Sequence, residues 1–153
     1  MNNIFFLLLL LLLSEKIIGQ DQQPSTFIFD HMALSVTDVD RSAAFYKDVL
    51  QLTEITNKTK VEGIRCFSIG PGMELHLISV IKEPVTLNKA MHIALKTAHF
   101  DDMVARLVKM NIPYSDWPGI PQKVNIRADG IKQVFFQDPD GIWIEVNSVV
   151  SKL

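Results

Sequence analysis

The sequence predicts an α+β fold in which two βαβββ modules pair and close on one another, and two observations carry the prediction. The first is an internal repeat. His31-Met32-Ala33-Leu34 matches His92-Ile93-Ala94-Leu95, an Asp follows nine residues after each His, at Asp40 and Asp101, and 72–80 aligns without gaps against 141–149. The second is the order of periodicities within each copy: an alternating apolar strand, a helical stretch, then three short strands. The modules cover about 28–80 and 88–150, forming one domain over 28–150.

Each element has a local reason. The helices are expected over 41–50 and 102–110, capped by the carboxylates of Asp40 and Asp101, with Phe45/Val49 and Val104/Leu107/Val108 on their apolar stripes. In module one, strands are expected around 52–56, 64–69 and 73–80, with Gly70-Pro71-Gly72 turning between the last two. In module two, Asp138-Pro139-Asp140-Gly141 has type I turn chemistry at the same junction, and Ala128-Asp129-Gly130 predicts a hairpin before 131–137. One helix covers only one face of a four-stranded sheet. The other faces are therefore expected to enclose a cavity between the modules, with the helices outside.

The chain has 153 residues and a formal charge of -2 with no basic block, which gives no electrostatic basis for binding nucleic acid or an anionic membrane. The apolar run 4–13 falls short of the about 20 residues that span a bilayer and ends in Ser14-Glu15-Lys16. Residues 1–19 therefore read as a signal peptide cleaved after Gly19, and 20–27, with Pro24, as a linker. A periplasmic or secreted location follows; the alternative is an uncleaved N-terminal membrane anchor. The single cysteine, Cys66, allows no internal disulfide.

The repeat also has chemical content. His31 and His92 occupy equivalent positions on the first strands, and His76 and Glu145 equivalent positions on the last. Three imidazoles and a carboxylate form a nitrogen/oxygen set suited to Zn(II), Ni(II), Co(II), Mn(II) or Fe(II), with coordination positions left for substrate or water. The strand period of two sets His76 opposite Leu75 and Leu77. Glu74 shares the face of His76, but the repeat pairs it with Trp143, so it is a cavity residue rather than a ligand. Arg65 with Phe67, and Gln133 with Phe135, each share a face and are candidate pocket residues together with Glu74, Arg127 and Trp143. Trp117 lies in a Pro-rich loop, 112–121, that could serve as a lid, and its default role is packing. His99, just ahead of a helix, reads as structural or exposed.

The segments HMALSVTDVDRSAAFYKDVLQL, MHIALKT and FFQDPDGIWIEVN resemble the landmarks of the vicinal oxygen chelate superfamily, and within it the chain is similar to glyoxalase I-like proteins. The resemblance spans nearly all of 28–150 and implies a VOC-type open barrel. It also carries the family's ligand positions onto His31, His76, His92 and Glu145. His76 stands where many glyoxalase I enzymes have Glu, and Leu50-Gln51-Leu52 replaces a common Leu-Gly-Leu. The activity implied is that of a metal-dependent lyase/isomerase acting on a small oxygen-rich carbonyl substrate through bidentate chelation and proton transfer, with Glu145 as the catalytic base. An Fe(II) extradiol-type dioxygenase and a non-catalytic, bleomycin-resistance-like binding protein are the alternatives. The site could be closed within one chain or shared across a homodimer.

Overall fold

The structure is a computed structural model that describes residues 27–149 except 82 and 84. The expected signal peptide and nearly all of the linker lie outside the described residues. The elements are β1 (His31–Ser35), α1 (Val39–Asp48), β2 (Thr53–Ile55), β3 (Ile64–Gly70) and β4 (Met73–Ile78), then β5 (His92–Lys96), α2 (Phe100–Lys109), β6 (Tyr114–Ser115), β7 (Asn125–Ile126), β8 (Lys132–Gln137) and β9 (Trp143–Asn147).

The repeat read from the sequence is matched strand by strand. Sheet one runs β1-β4-β3-β2, and sheet two runs β5-β9-β8-β6 with β7 also paired to β8. In both, the first strand lies parallel to the last, Ala33 facing His76 and Ala94 facing Glu145. The additional strand β7 comes from the predicted hairpin: Gly130 adopts φ 81°, and the Arg127 N–H donates to the Ile131 carbonyl. Among the described residues no ladder joins the two sheets, which makes the barrel an open one.

Helix starts differ by a residue or two from the expectation. Asp38, not Asp40, caps α1, accepting the Asp40 and Arg41 N–H groups, while Asp40 sits in the first turn. In α2 the capping position is His99, whose side chain makes no cap bond, and Asp101 again lies in the first turn. An acidic residue there still favours the positive end of the helix dipole. The expected apolar faces hold apart from Val108: Val49 and Leu107 are buried, and Phe45 and Val104 pack against the core. α1 buries Ser42, Ala43 and Tyr46, α2 buries Phe100, Met103 and Leu107, and Val108 is exposed.

One core serves both modules. Phe67, Leu75 and Leu77 from sheet one and Val134, Phe136, Ile144 and Val146 from sheet two join the buried side of both helices in a single apolar cluster. The rings of Phe45 and Phe136 lie 6.4 Å apart, the Tyr46 hydroxyl donates to Asp138 at 2.9 Å, and Arg106 of α2 donates to the Val49 carbonyl and the Gln51 side chain. Within one chain, then, the helix-bearing faces meet, and the faces opposite point outward. This departs from the expected arrangement of helices outside. The reason is polarity. Glu74, His76, Gln133, Glu145 and Asn147 lie on the opposite faces, and burying them in a dry core would cost more than burying the apolar side of the helices.

The module contact is locked by a carboxylate. Asp140, in the turn between β8 and β9, accepts from the Thr37 N–H and Oγ1, the Ser42 hydroxyl and Arg41 Nη2, and its side chain is 6% exposed. Burial pushes its pKa up, but the bonds from Ser42 and Thr37 and the Arg41 charge outweigh that, so the carboxyl stays below its ordinary value. Its stabilising effect is present above the unfolded aspartate value of about 3.9 and is lost as pH falls through the lower folded value. Gln51 supports the same contact: at φ 56° it holds a left-handed conformation, and its side chain anchors Arg106 at 2.7 Å. The Leu-Gln-Leu departure thus ties the modules together.

Replacing Asp140 with Ala should lower unfolding stability by about 3 kcal/mol, because three donors and a guanidinium lose their acceptor. Urea denaturation at neutral pH measures the loss. Stability of the parent should also fall in acid below the ordinary aspartate range by more than that of Asp140→Ala.

Candidate metal and substrate site

The strand period that sends Leu75 and Leu77 into the core sends Glu74 and His76 to the outward face of sheet one. β1 adds His31. The two imidazoles stack, ring centroids 4.4 Å apart and planes 14° from parallel. His31 donates from Nδ1 to Asp30 at 2.6 Å, since a carboxylate can only accept, and a neutral ring then keeps its lone pair on Nε2. That bond holds the Asp30 carboxyl below its usual range. His76 donates from Nε2 to Glu74 at 2.8 Å, and this contact, with the nearby Lys58 ammonium, lowers the Glu74 carboxyl.

On the outward face of sheet two, His92 and Glu145 come together. His92 donates from Nδ1 to the Lys89 carbonyl at 2.8 Å. In a neutral ring Nε2 then carries the lone pair and faces Glu145 Oε2, 3.3 Å away, and the other carboxylate oxygen accepts from Asn147 at 2.9 Å. Two electron-rich atoms at that distance repel unless a cation or proton lies between them. Hydrogen bonds on the far side of each group are the usual means of orienting metal ligands. The donor set and its outer partners thus fit a divalent ion.

The four predicted ligands form two pairs rather than one cluster. Among the described residues no group of three or more His, Cys, Asp or Glu gathers in ligating range. His31 and His76 lie on one outward face, His92 and Glu145 on the other, with the shared core between them.

Pocket residues divide by face. A cavity of about 460 Å³ opens over sheet two, lined by Trp117, Asn125, Arg127, Gln133, Phe135 and Glu145. Gln133 accepts from Asn125 at 2.6 Å, and Arg127 pairs with Asp129 at 2.7 Å. Trp143 does not line this cavity but a neighbouring one with Tyr114, Ser115 and Phe135, where the Lys89 ammonium lies 4.7 Å from its ring centroid. Arg65 and Phe67 take the opposite face of their sheet from His76. Arg65 is bonded to Glu54 and Asp40, and Phe67 is fully buried near Tyr46. Cys66 pairs across from His76 and takes the outward face instead, where burial raises its thiol. His99 is largely exposed and pairs with Asp102 at 3.6 Å.

Sequence reasoning missed Lys89. Its carbonyl fixes His92, and its ammonium donates to Ser115 Oγ and to the carbonyls of Asp116 and Trp117. It lies at the start of module two, ahead of the aligned segment that begins at His92, so the comparison of modules could not flag it. Buried Asp116 accepts the Gly119 and Ile120 N–H groups and pairs with Lys123, which fixes the same loop from within. Burial opposes ionisation of Asp116, but these bonds prevail and keep its carboxyl low.

Paired βαβββ modules with histidines and a carboxylate on strand-equivalent positions define a class of open-barrel proteins. The model of the Glyoxalase/Bleomycin resistance protein/Dioxygenase superfamily matches residues 28–146, and the chain belongs to that superfamily. It is 28% identical over 122 residues to the Bacillus subtilis (strain 168) protein YwbC, covering 76% of this chain and 93% of that one. It is 27% identical over 124 residues to Glyoxylase I 4 of Arabidopsis thaliana, covering 76% and 68%. Among solved structures it resembles Oxidase ChaP-H2 (TM-score 0.69, 22% identity, 84% and 98% covered) and a lactoylglutathione lyase from Agrobacterium tumefaciens (TM-score 0.61, 21% identity, 82% and 96% covered). At these identities the structural likeness speaks for the fold. No helix among the described residues is long and apolar enough to cross a membrane.

Replacing Lys89 with Met should release the Trp117 loop, costing about 1–2 kcal/mol of stability. Acrylamide quenching of tryptophan fluorescence should rise in the variant, and equal quenching would show that the loop is held by other contacts.

Proposed function

We propose that the chain is a metal-dependent lyase/isomerase that transfers a proton next to a carbonyl of a small oxygen-rich substrate. The observation that carries this reading is the His92–Glu145 pair, with the imidazole lone pair turned toward a carboxylate that is itself hydrogen-bonded. A bound zinc, nickel, cobalt, manganese or iron ion would supply Lewis acidity and positions for two adjacent substrate oxygens. His31, His76, His92 and Glu145 are the residues to hold it. Glu145 is the group to take the proton, being 9% exposed at its side chain and directed at the same space as His92.

The separation of the two pairs supports a site completed by a second copy of the chain, module one of each protomer facing module two of its partner. β1 and β5 are edge strands of their sheets, and exposed Ile28, Phe29 and Met91 precede them. Edges of this kind are suited to pairing. A twofold arrangement then yields two equivalent sites. The export signal at 1–19 remains part of this reading, placing the activity in the periplasm or outside the cell.

Elemental analysis of the purified protein should find near-stoichiometric metal that falls sharply in His92→Ala. Glu145→Gln should abolish turnover of lactoylglutathione or of a related 2-hydroxy acyl compound while retaining much of the metal. Absence of metal after reconstitution with each ion would refute the reading. A shared site makes a further prediction. His31→Ala and His92→Ala, each inactive alone, should recover about a quarter of parental activity when unfolded and refolded as an equal mixture, since half of the dimers are mixed and each carries one intact site. No recovery would place both halves of the site in one chain.

A further inference from the structure

We propose that Trp117 is a specificity-determining residue and that the substrate carries a flat, unsaturated ring next to its two oxygens. This rests on the metal-site reading given above and adds the class of substrate. Trp117 is 47% exposed, although the loop bearing it is bonded to Lys89 and to the buried Asp116 carboxylate. A large apolar ring held rigidly toward solvent is a surface prepared for a ligand. Its neighbours specify where that ligand lies. The Trp117 ring meets Phe135 edge-on at 5.3 Å and His92 at 6.2 Å, and Phe135 meets His92 at 90° and 5.6 Å. Trp117 and Phe135 line the cavity together with Glu145, and His92 backs both rings.

The remaining lining favours a ring over an alkyl chain. Edges and faces of neighbouring rings present alternating partial charge, to which an aromatic ligand adds offset or T-shaped contacts. The cavity of about 460 Å³ is larger than a three-carbon hydroxy acid needs, and an open volume beside the His92–Glu145 pair would leave such a substrate poorly oriented. Across from the rings, the Asn125 and Gln133 amides and the Arg127 guanidinium provide polar groups for substituents at the far end of the ligand.

The test uses mandelate and lactate, which share a 2-hydroxy acid head and differ in a phenyl for a methyl group. Full-length protein loaded with zinc is titrated calorimetrically with each. Mandelate should bind about tenfold more tightly than lactate. Trp117→Ala should bring the ratio toward one, and Trp117→Phe should keep most of it. A ratio near one in the parent, or a ratio unchanged in Trp117→Ala, overturns the assignment. Zinc content is measured on the same samples. If zinc is not retained, the metal reading fails, and mandelate binding to the zinc-free protein decides the pocket separately: dependence on Trp117 upholds it and absence of binding overturns it.

Discussion

Each sheet has two faces and only one helix to cover them, and the rest of the structure depends on how that imbalance is resolved. Alternation along β4 and β9 sorts the side chains. Leu75, Leu77, Ile144 and Val146 go to the helix side, and Glu74, His76, Glu145 and Asn147 to the other. The apolar sides of the two modules then share one core, which leaves both ligand pairs facing outward. Burial of the core residues contributes most of the stability, at roughly 25 cal/mol per Å² of apolar surface. The outward faces pack less tightly and remain available for chemistry.

Because the modules meet through their helices, the contact has to be specified by polar groups as well as by apolar area. Asp140 and Asp138 in one turn reach Thr37, Arg41, Ser42 and Tyr46 at the start and middle of α1. Asp138 differs from Asp140 in the direction of its pKa: burial raises it, and the bonds from Ile142 and Tyr46 do not fully compensate. The Tyr46 hydroxyl, buried beside it, is pushed well above the ordinary phenol range. A neutral phenol donating to a carboxylate is the stable state of that pair at neutral pH. The turn between β8 and β9, the strand that carries Glu145, is therefore also the anchor of module one.

Much of this was legible in the sequence because the repeat constrains so much at once. Matching His31 with His92 and His76 with Glu145 fixes strand order and register in both copies, and the structure keeps that correspondence down to the Ala33–His76 and Ala94–Glu145 pairings. What the repeat does not encode is how two similar modules lie against each other, since their symmetry permits either face to meet. Arg65 and Phe67 show the same ambiguity on a smaller scale: alternation says that they share a face, and only the pairing of Phe67 with Leu75 says which. Helix starts were misjudged because Asp38 and Asp40 are equally good capping residues in a run that contains both.

The loop over sheet two shows where the modules stopped being equivalent. Module one passes from α1 through β2 to β3 with a short connection, whereas module two inserts the Trp117 loop and β7 between β6 and β8. The insertion covers its outward face, so that Glu145 and Asn147 are buried while His31 on the corresponding face of module one is exposed. A Pro-rich loop of this length suggests a lid, yet Lys89 and Asp116 hold it at both its outer and inner sides. It therefore acts as a fixed wall. The asymmetry sets the two faces apart: module two buries Glu145 beside an aromatic surface, and module one presents the stacked imidazoles of His31 and His76 more openly.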